Sequence, residues 1–235
     1  MCLILFGLNA HPDIPLIVAA NRDEFYGRPT EAAHVWSDAP QVLGGRDEKA
    51  GGTWMGVTRS GRWAAVTNYR DPDSEHKDEA PSRGDLVADY LKQQPDPQSY
   101  IASVAERGDR YNGFNLLVGT PQQVYYYSNR DGDARTLRPG LYGLSNHLLD
   151  SAWPKVERGK KKLARQVERG AVAPDPLLEL LYDTEQPVDE KLPDTGIGLA
   201  GERLLSPMFI ESETYGTRAS TVLLIRADGT ITFAE

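Results

Sequence analysis

Apolar residues in the first third of the chain come in short runs separated by polar turns. Leu3–Leu8 and Pro15–Asn21 flank Asn9-Ala10-His11-Pro12-Asp13, a turn by composition, and predict two neighbouring strands. Thr53–Thr58 and Arg62–Asn68 lie on either side of Arg59-Ser60-Gly61, which is hairpin spacing. Asp71–Ser82 is charged and proline-bearing and predicts a loop. Beyond it the period changes. Ser82-Arg83-Gly84-Asp85 opens a stretch, Leu86–Leu91, with apolar residues at helical spacing, and Gln98–Arg107 predicts a second short helix. Phe114–Gly119 and Gln122–Ser128 return to strand patterning, and Leu141–Leu144 follows as a strand. Ala152–Glu168 and Pro176–Tyr182 read as helices, and Thr217–Arg226 with Thr230–Ala234 form a terminal hairpin around Ala227-Asp228-Gly229. Strands thus come in antiparallel pairs with helices between groups of pairs. That order predicts an α+β fold with helices covering large antiparallel sheets, not a doubly wound βαβ sheet. With no repeat and no dividing linker, residues 1–235 are expected to form a single domain.

Charge and cysteine content narrow the function classes. A net charge of -8 argues against nucleic acid or an anionic membrane as the main partner. The N-terminal apolar run is too short to span a membrane and lacks the positive flank of a signal peptide, so a cytoplasmic protein without an integral membrane segment is expected. The local exception, Arg158-Gly159-Lys160-Lys161-Lys162 with Arg165, reads as a solvated helix face, with contact to an anionic ligand as the alternative. One cysteine excludes an intrachain disulfide and any all-cysteine metal site. His11, His34, His76 and His147 have no ligand spacing, so no metal is expected. Gly44-Gly45 and Gly51-Gly52 read as turns, not as a phosphate loop.

The lone cysteine is Cys2, directly after the initiator methionine. Loss of Met1 would leave a thiol and a free α-amine on one residue. An α-amine has a reference pKa of about 7.7–8.0 and can serve as the adjacent base. The same residue also begins an apolar strand, where a cysteine commonly serves as a small core hydrophobe. Both roles fit its position. The second strand emerges into Asn21-Arg22-Asp23-Glu24-Phe25, and alternation puts Arg22 and Asp23 on opposite faces. Asn68 and Asn146 follow later apolar strands, and Arg218 precedes the last long one. Amide donors for an oxyanion and a charge partner for a thiolate are what acyl transfer needs. Turn residues and structural ion pairs are the other reading of the same set.

Several segments together resemble the NRDE family, that of the transport and Golgi organisation 2 protein. They are Met1-Cys2, Ala20–Pro29, Gly51-Gly52-Thr53-Trp54, Thr67-Asn68-Tyr69, Tyr111–Asn115, Tyr142–Asn146 and Tyr215-Gly216-Thr217-Arg218. The resemblance implies an N-terminal-nucleophile hydrolase-like αββα sandwich, two antiparallel sheets between helical layers. It implies distant kinship with the cysteine-type bile salt hydrolases and penicillin V acylases. By that resemblance Cys2 matches the nucleophile, Asp23 the aspartate, Asn68 and Asn146 the two asparagines and Arg218 the arginine. Those hydrolases carry a further arginine three residues before the aspartate. Ala20 stands there in this chain and Arg22 lies beside Asp23, which implies a different arrangement of charge at the thiolate. Two functions follow. One is cofactor-free hydrolysis of a non-peptide C–N amide, thioester or ester of a small acyl compound. The other is a carrier or chaperone for haem or an acyl-lipid ligand, since eukaryotic members are linked to haem trafficking and lipid homeostasis.

Overall fold

The computed structural model describes residues 2–235; Met1, and with it the question of its removal, lies outside the described residues. The chain opens with six strands: β1 (Cys2–His11), β2 (Ile14–Phe25), β3 (Thr30–Trp36), β4 (Ala39–Asp47), β5 (Met55–Thr58) and β6 (Trp63–Asn68). Helices α1 (Arg83–Gln93) and α2 (Pro97–Ala105) precede β7 (Phe114–Gly119), β8 (Val124–Ser128), β9 (Arg135–Thr136) and β10 (Gly140–Leu144). Then come α3 (Pro154–Glu168), α4 (Pro174–Leu181), α5 (Gly198–Leu205), β11 (Tyr215–Ile225) and β12 (Ile231–Ala234). These elements form two compact units. One comprises Met1–Gly27, Arg70–Glu75 and Pro139–Glu235; the other comprises Arg28–Tyr69 and His76–Arg138. Among the described residues no helix is long and apolar enough to cross a membrane.

The first unit is built on a five-stranded sheet in the order β10-β1-β2-β11-β12, every pair antiparallel. Cys2 therefore starts an interior strand, flanked by β10 and β2. Leu3, Leu5, Ile17, Ala19, Val222 and Leu224 pack against Val156 and Leu163 of α3 and Leu177, Leu180 and Leu181 of α4. The alternate residues Ile4, Phe6, Leu16, Val18 and Leu223 are buried too. Burial of both sets is why β1 and β2 read as continuous apolar runs rather than alternating ones. Helix α3 comes close to β1 at Gly159, where a Cβ would sit 2.7 Å from a Leu5 methyl. Its basic residues meet acids: Arg158 and Lys162 pair with Asp183 at 3.0 and 2.6 Å, and Lys160 with Asp150 at 2.7 Å.

The second unit carries a seven-stranded antiparallel sheet, β3-β4-β5-β6-β7-β8-β9. Leu86, Val87, Tyr90 and Leu91 of α1 and Tyr100, Ile101 and Val104 of α2 share a core with Ala64, Val66, Phe114, Leu116, Val118, Tyr125 and Tyr127. Ser82 caps α1 by accepting from the Gly84 N–H at 3.2 Å, and Asp96 caps α2 by accepting from Ser99 at 2.8 Å.

Three local expectations change. The turn expected over residues 9–13 contracts to Pro12-Asp13, because Asn9 adopts φ 47° within a bulge and β1 continues to His11. Strands β3 and β4 escape the periodicity reading because β3 has only one buried residue and weak alternation, and β4 carries a glycine pair. Gly44-Gly45 lies inside β4 instead of in a turn: a Cβ at position 44 would come 2.7 Å from the Met55 carbonyl oxygen, and one at 45 would run into the Trp54 indole.

Backbone comes close at Gly52, where a Cβ would lie 2.5 Å from the Gly84 carbonyl carbon and 2.7 Å from its oxygen. Both partners are backbone and cannot rotate away. Gly52→Ala should cost about 2–3 kcal/mol in urea unfolding. Gly27→Ala, with nothing within 4 Å of its Cβ, should be near neutral.

Candidate active site

Strand register brings the site residues of the first unit together. Cys2 pairs directly with Arg22 across β1 and β2, and Leu3 with Asn21. Direct partners in an antiparallel pair have Cβ atoms about 4.5–5.5 Å apart, so Arg22 is the cation set across from the thiol. Arg22 is buried and its guanidinium lies 3.9 Å from Glu24. Asn21 and Asp23 alternate to the other face. The Asn21 carboxamide donates to the carbonyls of Leu181 and Met208 at 3.1 and 2.8 Å and accepts from the Ser220 hydroxyl at 2.7 Å. It is a structural clamp between β2, β11 and the end of α4. The buried Asp23 carboxylate accepts from the Thr217 hydroxyl at 2.7 Å, and its carbonyl accepts from the Tyr215 hydroxyl at 3.2 Å.

The segment after β10 fixes Cys2 from the opposite edge. The Asn146 Oδ1 accepts from the Cys2 nitrogen at 3.1 Å, and the Ser145 hydroxyl donates to the Cys2 carbonyl at 2.9 Å. Asn146 is itself buried, and its carbonyl accepts from the Arg70 N–H at 2.7 Å. Both polar groups of the Cys2 backbone thus find partners on two consecutive residues. Cys2 is half-buried. Desolvation pushes its thiol up and the charge of Asp23 adds to that, while the main-chain dipole of Asp23 and the charge of Arg22 favour thiolate.

A lysine from α3 completes the charge pattern. Lys155 is 2% exposed, and its Nζ donates to the Leu205 carbonyl at 2.9 Å. Burial lowers its pKa to about 8, with Asp23 and Cys2 opposing and Arg70 assisting. Burial raises the Asp23 carboxyl, and Lys155 and Thr217 pull it back. The Tyr215 hydroxyl is raised by burial and by the charges of Asp23 and Cys2. Beside Lys155 the guanidinium of Arg70 meets Glu202 at 2.8 Å, with 9% and 5% of the two side chains exposed, and stacks 4.8 Å above the Trp153 ring. These residues line a small cleft with Pro193, Leu205 and Ser206, of about 10 Å³, room for one water.

The remaining two candidates lie elsewhere in the register. β11 bulges between Thr217 and Ala219, so Arg218 is the extra residue, and its Nη1 donates to the carbonyls of Phe25 and Tyr26 at 3.0 and 2.8 Å. Asn68 is exposed at the end of β6 in the second unit, paired with Phe114.

The whole chain, residues 1–235, matches the profile described as Transport and Golgi organisation 2. The chain belongs to that family. Its bovine homologue is 40% identical over 256 residues, covering 100% of this chain and 92% of the homologue. Two solved structures share the fold at low identity. The Caenorhabditis elegans N-acylethanolamine-hydrolyzing acid amidase ortholog superposes with a TM-score of 0.52 at 13% identity, covering 90% of this chain and all of that one. The C2A mutant of the Clostridium perfringens conjugated bile acid hydrolase gives 0.52 at 8%, covering 100% of this chain and 92% of that one. The fold is therefore α+β and N-terminal-nucleophile hydrolase-like.

Lys155, Thr217, Tyr215 and Ser145 are site residues of this Transport and Golgi organisation 2 family member that the sequence reading passed over. Lys155 had a signal. It stands four and eight residues before Gly159 and Leu163, both buried, and so falls on the apolar stripe of α3. Thr217 and Tyr215 sit in the same motif as Arg218, and the bulge decides which of them reaches Asp23.

Lys155 gives a pH test of this geometry. Its folded pKa, about 8, lies below the ordinary lysine value of 10.5. The unfolded chain then binds more protons between these values, so the Lys155 contribution to stability rises with pH across that window. The wild-type advantage in unfolding free energy over Lys155→Met should grow from pH 8 to pH 10. A difference independent of pH would contradict this environment for Lys155.

Proposed function

We propose that the chain is a hydrolase that uses Cys2, exposed by loss of Met1, to cleave a non-peptide C–N amide, or a thioester or ester, of a small acyl compound. One observation carries the reading: the Cys2 nitrogen is held by the Asn146 carboxamide at 3.1 Å while Arg22 stands directly across the ladder from Cys2. After processing that nitrogen is an amine, positioned to take the thiol proton. The thiolate adds to the substrate carbonyl, and the carbonyl pair moves to oxygen. Carboxamide N–H groups such as that of Asn146 suit the resulting oxyanion. Collapse expels the amine leaving group, which takes the proton from the Cys2 ammonium and leaves an acyl-thioester. Water then adds, giving its proton to the amine, and the thiol departs with the acid released. Asp23 orients the ammonium, and Arg22, in register with Cys2, favours thiolate. The two solved structures are named for hydrolysing N-acylethanolamine and conjugated bile acid, which supports an acyl amide as the substrate class.

Screening processed protein against acyl amides, acyl thioesters and haem side by side tests this. Intact mass should show Met1 absent from the active form. Cys2→Ala should abolish turnover while costing only about 1 kcal/mol of stability. Cys2→Ser should retain little activity, since a hydroxyl ionises far less readily. Asn146→Ala should lower kcat by about 10²–10³. Haem or acyl-ligand binding that survives Cys2→Ala, with no covalent adduct from electrophilic acyl probes, would replace the hydrolase with a carrier.

A further inference from the structure

The hydrolytic cycle gives α5 no task, and α5 is seated unlike the other helices. A surface helix ordinarily buries apolar residues and shows its charges. In α5 the one buried residue is Glu202, while Leu199 and Leu204 are 50% and 38% exposed. Among the described residues no strand or other helix packs along it beyond isolated contacts. Polar ties hold it instead. The Glu202 Oε2 accepts from the Arg70 guanidinium at 2.8 Å, and its Oε1 accepts from the Thr195 N–H at 2.8 Å and the Thr195 hydroxyl at 2.5 Å. The Leu205 carbonyl accepts from the Lys155 ammonium at 2.9 Å. An element with so little apolar burial belongs to the low-stability end of a fold. Gly196 and Gly198, with φ of 84° and 75°, bracket Ile197 at the entry to α5. At its other end the chain is buried again from Ser206 to Met208. Arg70, the partner of Glu202, is also tied toward the thiol. Its main-chain N–H donates to the Asn146 carbonyl at 2.7 Å, and the Asn146 carboxamide accepts from the Cys2 nitrogen at 3.1 Å.

We propose that residues 195–205 form a hinged strap, latched by Glu202 on Arg70, whose closure fixes Arg70 and through it the Asn146 that seats the Cys2 nitrogen. The strap and its latch stand alone, while their effect on turnover rests on the hydrolase reading. When the strap is closed, the Arg70 guanidinium is clamped between the Glu202 carboxylate and the Trp153 ring, 4.8 Å away. The cleft below, lined by Arg70, Trp153 and Lys155, then has room for one water. When the strap opens, the guanidinium meets solvent and the segment that begins at Arg70 loses its outer anchor. Glu202 and Arg70 are thus positioning residues, acting on Cys2 through Asn146.

Residue-resolved hydrogen exchange of the full-length protein, followed by NMR across a series of low denaturant concentrations, tests the strap directly. The last four amides of α5, the ones its own turns protect, should exchange about tenfold or more faster than the core amides of α3 and β11. They should do so with the small denaturant slope of a local event. Glu202→Gln, which keeps the shape of the latch without its charge, should speed α5 exchange about tenfold, and the Arg70 amide should follow. Gly198→Ala leaves the latch intact and serves should the Gln variant fail to fold. Nothing lies within 4 Å of its Cβ, so it penalises only the left-handed closed backbone and should speed α5 exchange about 5–30-fold. On a turned-over acyl substrate, Glu202→Gln should lower kcat about tenfold with KM little changed. Wild-type α5 amides that share the rates and slopes of α3 and β11 would overturn the strap, and α5 exchange unmoved by Glu202→Gln would overturn the latch. An Arg70 amide indifferent to the latch, or an unchanged kcat beside faster α5 exchange, would overturn the coupling to Cys2. A wild type inert toward every acyl substrate would overturn the hydrolase reading, whereas hydrogen exchange judges the strap whether or not the protein turns substrate over.

Discussion

The register of β1 on β2 sets which groups face the sulfur. Cys2 opposite Arg22 follows from Ile4 opposite Ala20 and Phe6 opposite Val18, along an uninterrupted ladder. A slip of one residue would exchange the faces of every side chain, carrying Arg22 away from Cys2 and Asp23 toward it. What prevents the slip is burial on both faces, since Leu3 and Leu5 are committed to the helices while Ile4 and Phe6 are equally enclosed. The Asn21 clamp adds a polar lock, because its carboxamide reaches Leu181 and Met208 in one position only. Packing energy and chemical geometry are therefore the same constraint in this strand pair.

Buried charge beside that ladder has a different logic. Asp23, Lys155 and the Arg70–Glu202 pair all sit where desolvation works against them. Breaking one member of a buried pair commonly costs about 3–5 kcal/mol, yet replacing a whole pair with apolar residues is often neutral or stabilising. Stability alone gives no reason to keep four ionisable side chains in one interior. Their value lies in orientation: Arg70 ties the segment that follows β6 to Asn146 through its backbone and to Glu202 through its side chain, with Thr195 joined to both.

Much of this architecture was legible in the chain because the core strands are continuous apolar runs and the helices carry caps. Ser82 announces α1 in the sequence and caps it in the fold, and Asp96 caps α2. The α+β order of elements was legible too. Strand β3 was not, since it has one buried residue and little hydrophobic pattern; β4 was not, since its Gly44-Gly45 reads as a turn; and α5 was not, since two of its eight residues are glycine. At the site, Cys2 and Asp23 stood out by position and type, and Asn146 through its place after an apolar strand. Lys155 was hidden by its basic neighbours: the run from Arg158 to Lys162 drew the eye to the outer face of α3, while the lysine four residues before Gly159 pointed inward. The role of Arg218 hinged on a bulge, and no sequence period reports one.

The interleaving of the two units has a consequence for how the chain is made. β1 and β2 leave the ribosome well before their outer partners: Leu8 pairs with Gly140, and Phe25 with Tyr215. At synthesis rates of roughly 5–20 residues per second, the free edge of β2 waits about 10–40 s for its partner. Through that interval an apolar hairpin bearing the Cys2 thiol has an open backbone ladder on both sides, the condition under which strands recruit wrong neighbours. Closing those two edges waits on the synthesis of β10 and β11.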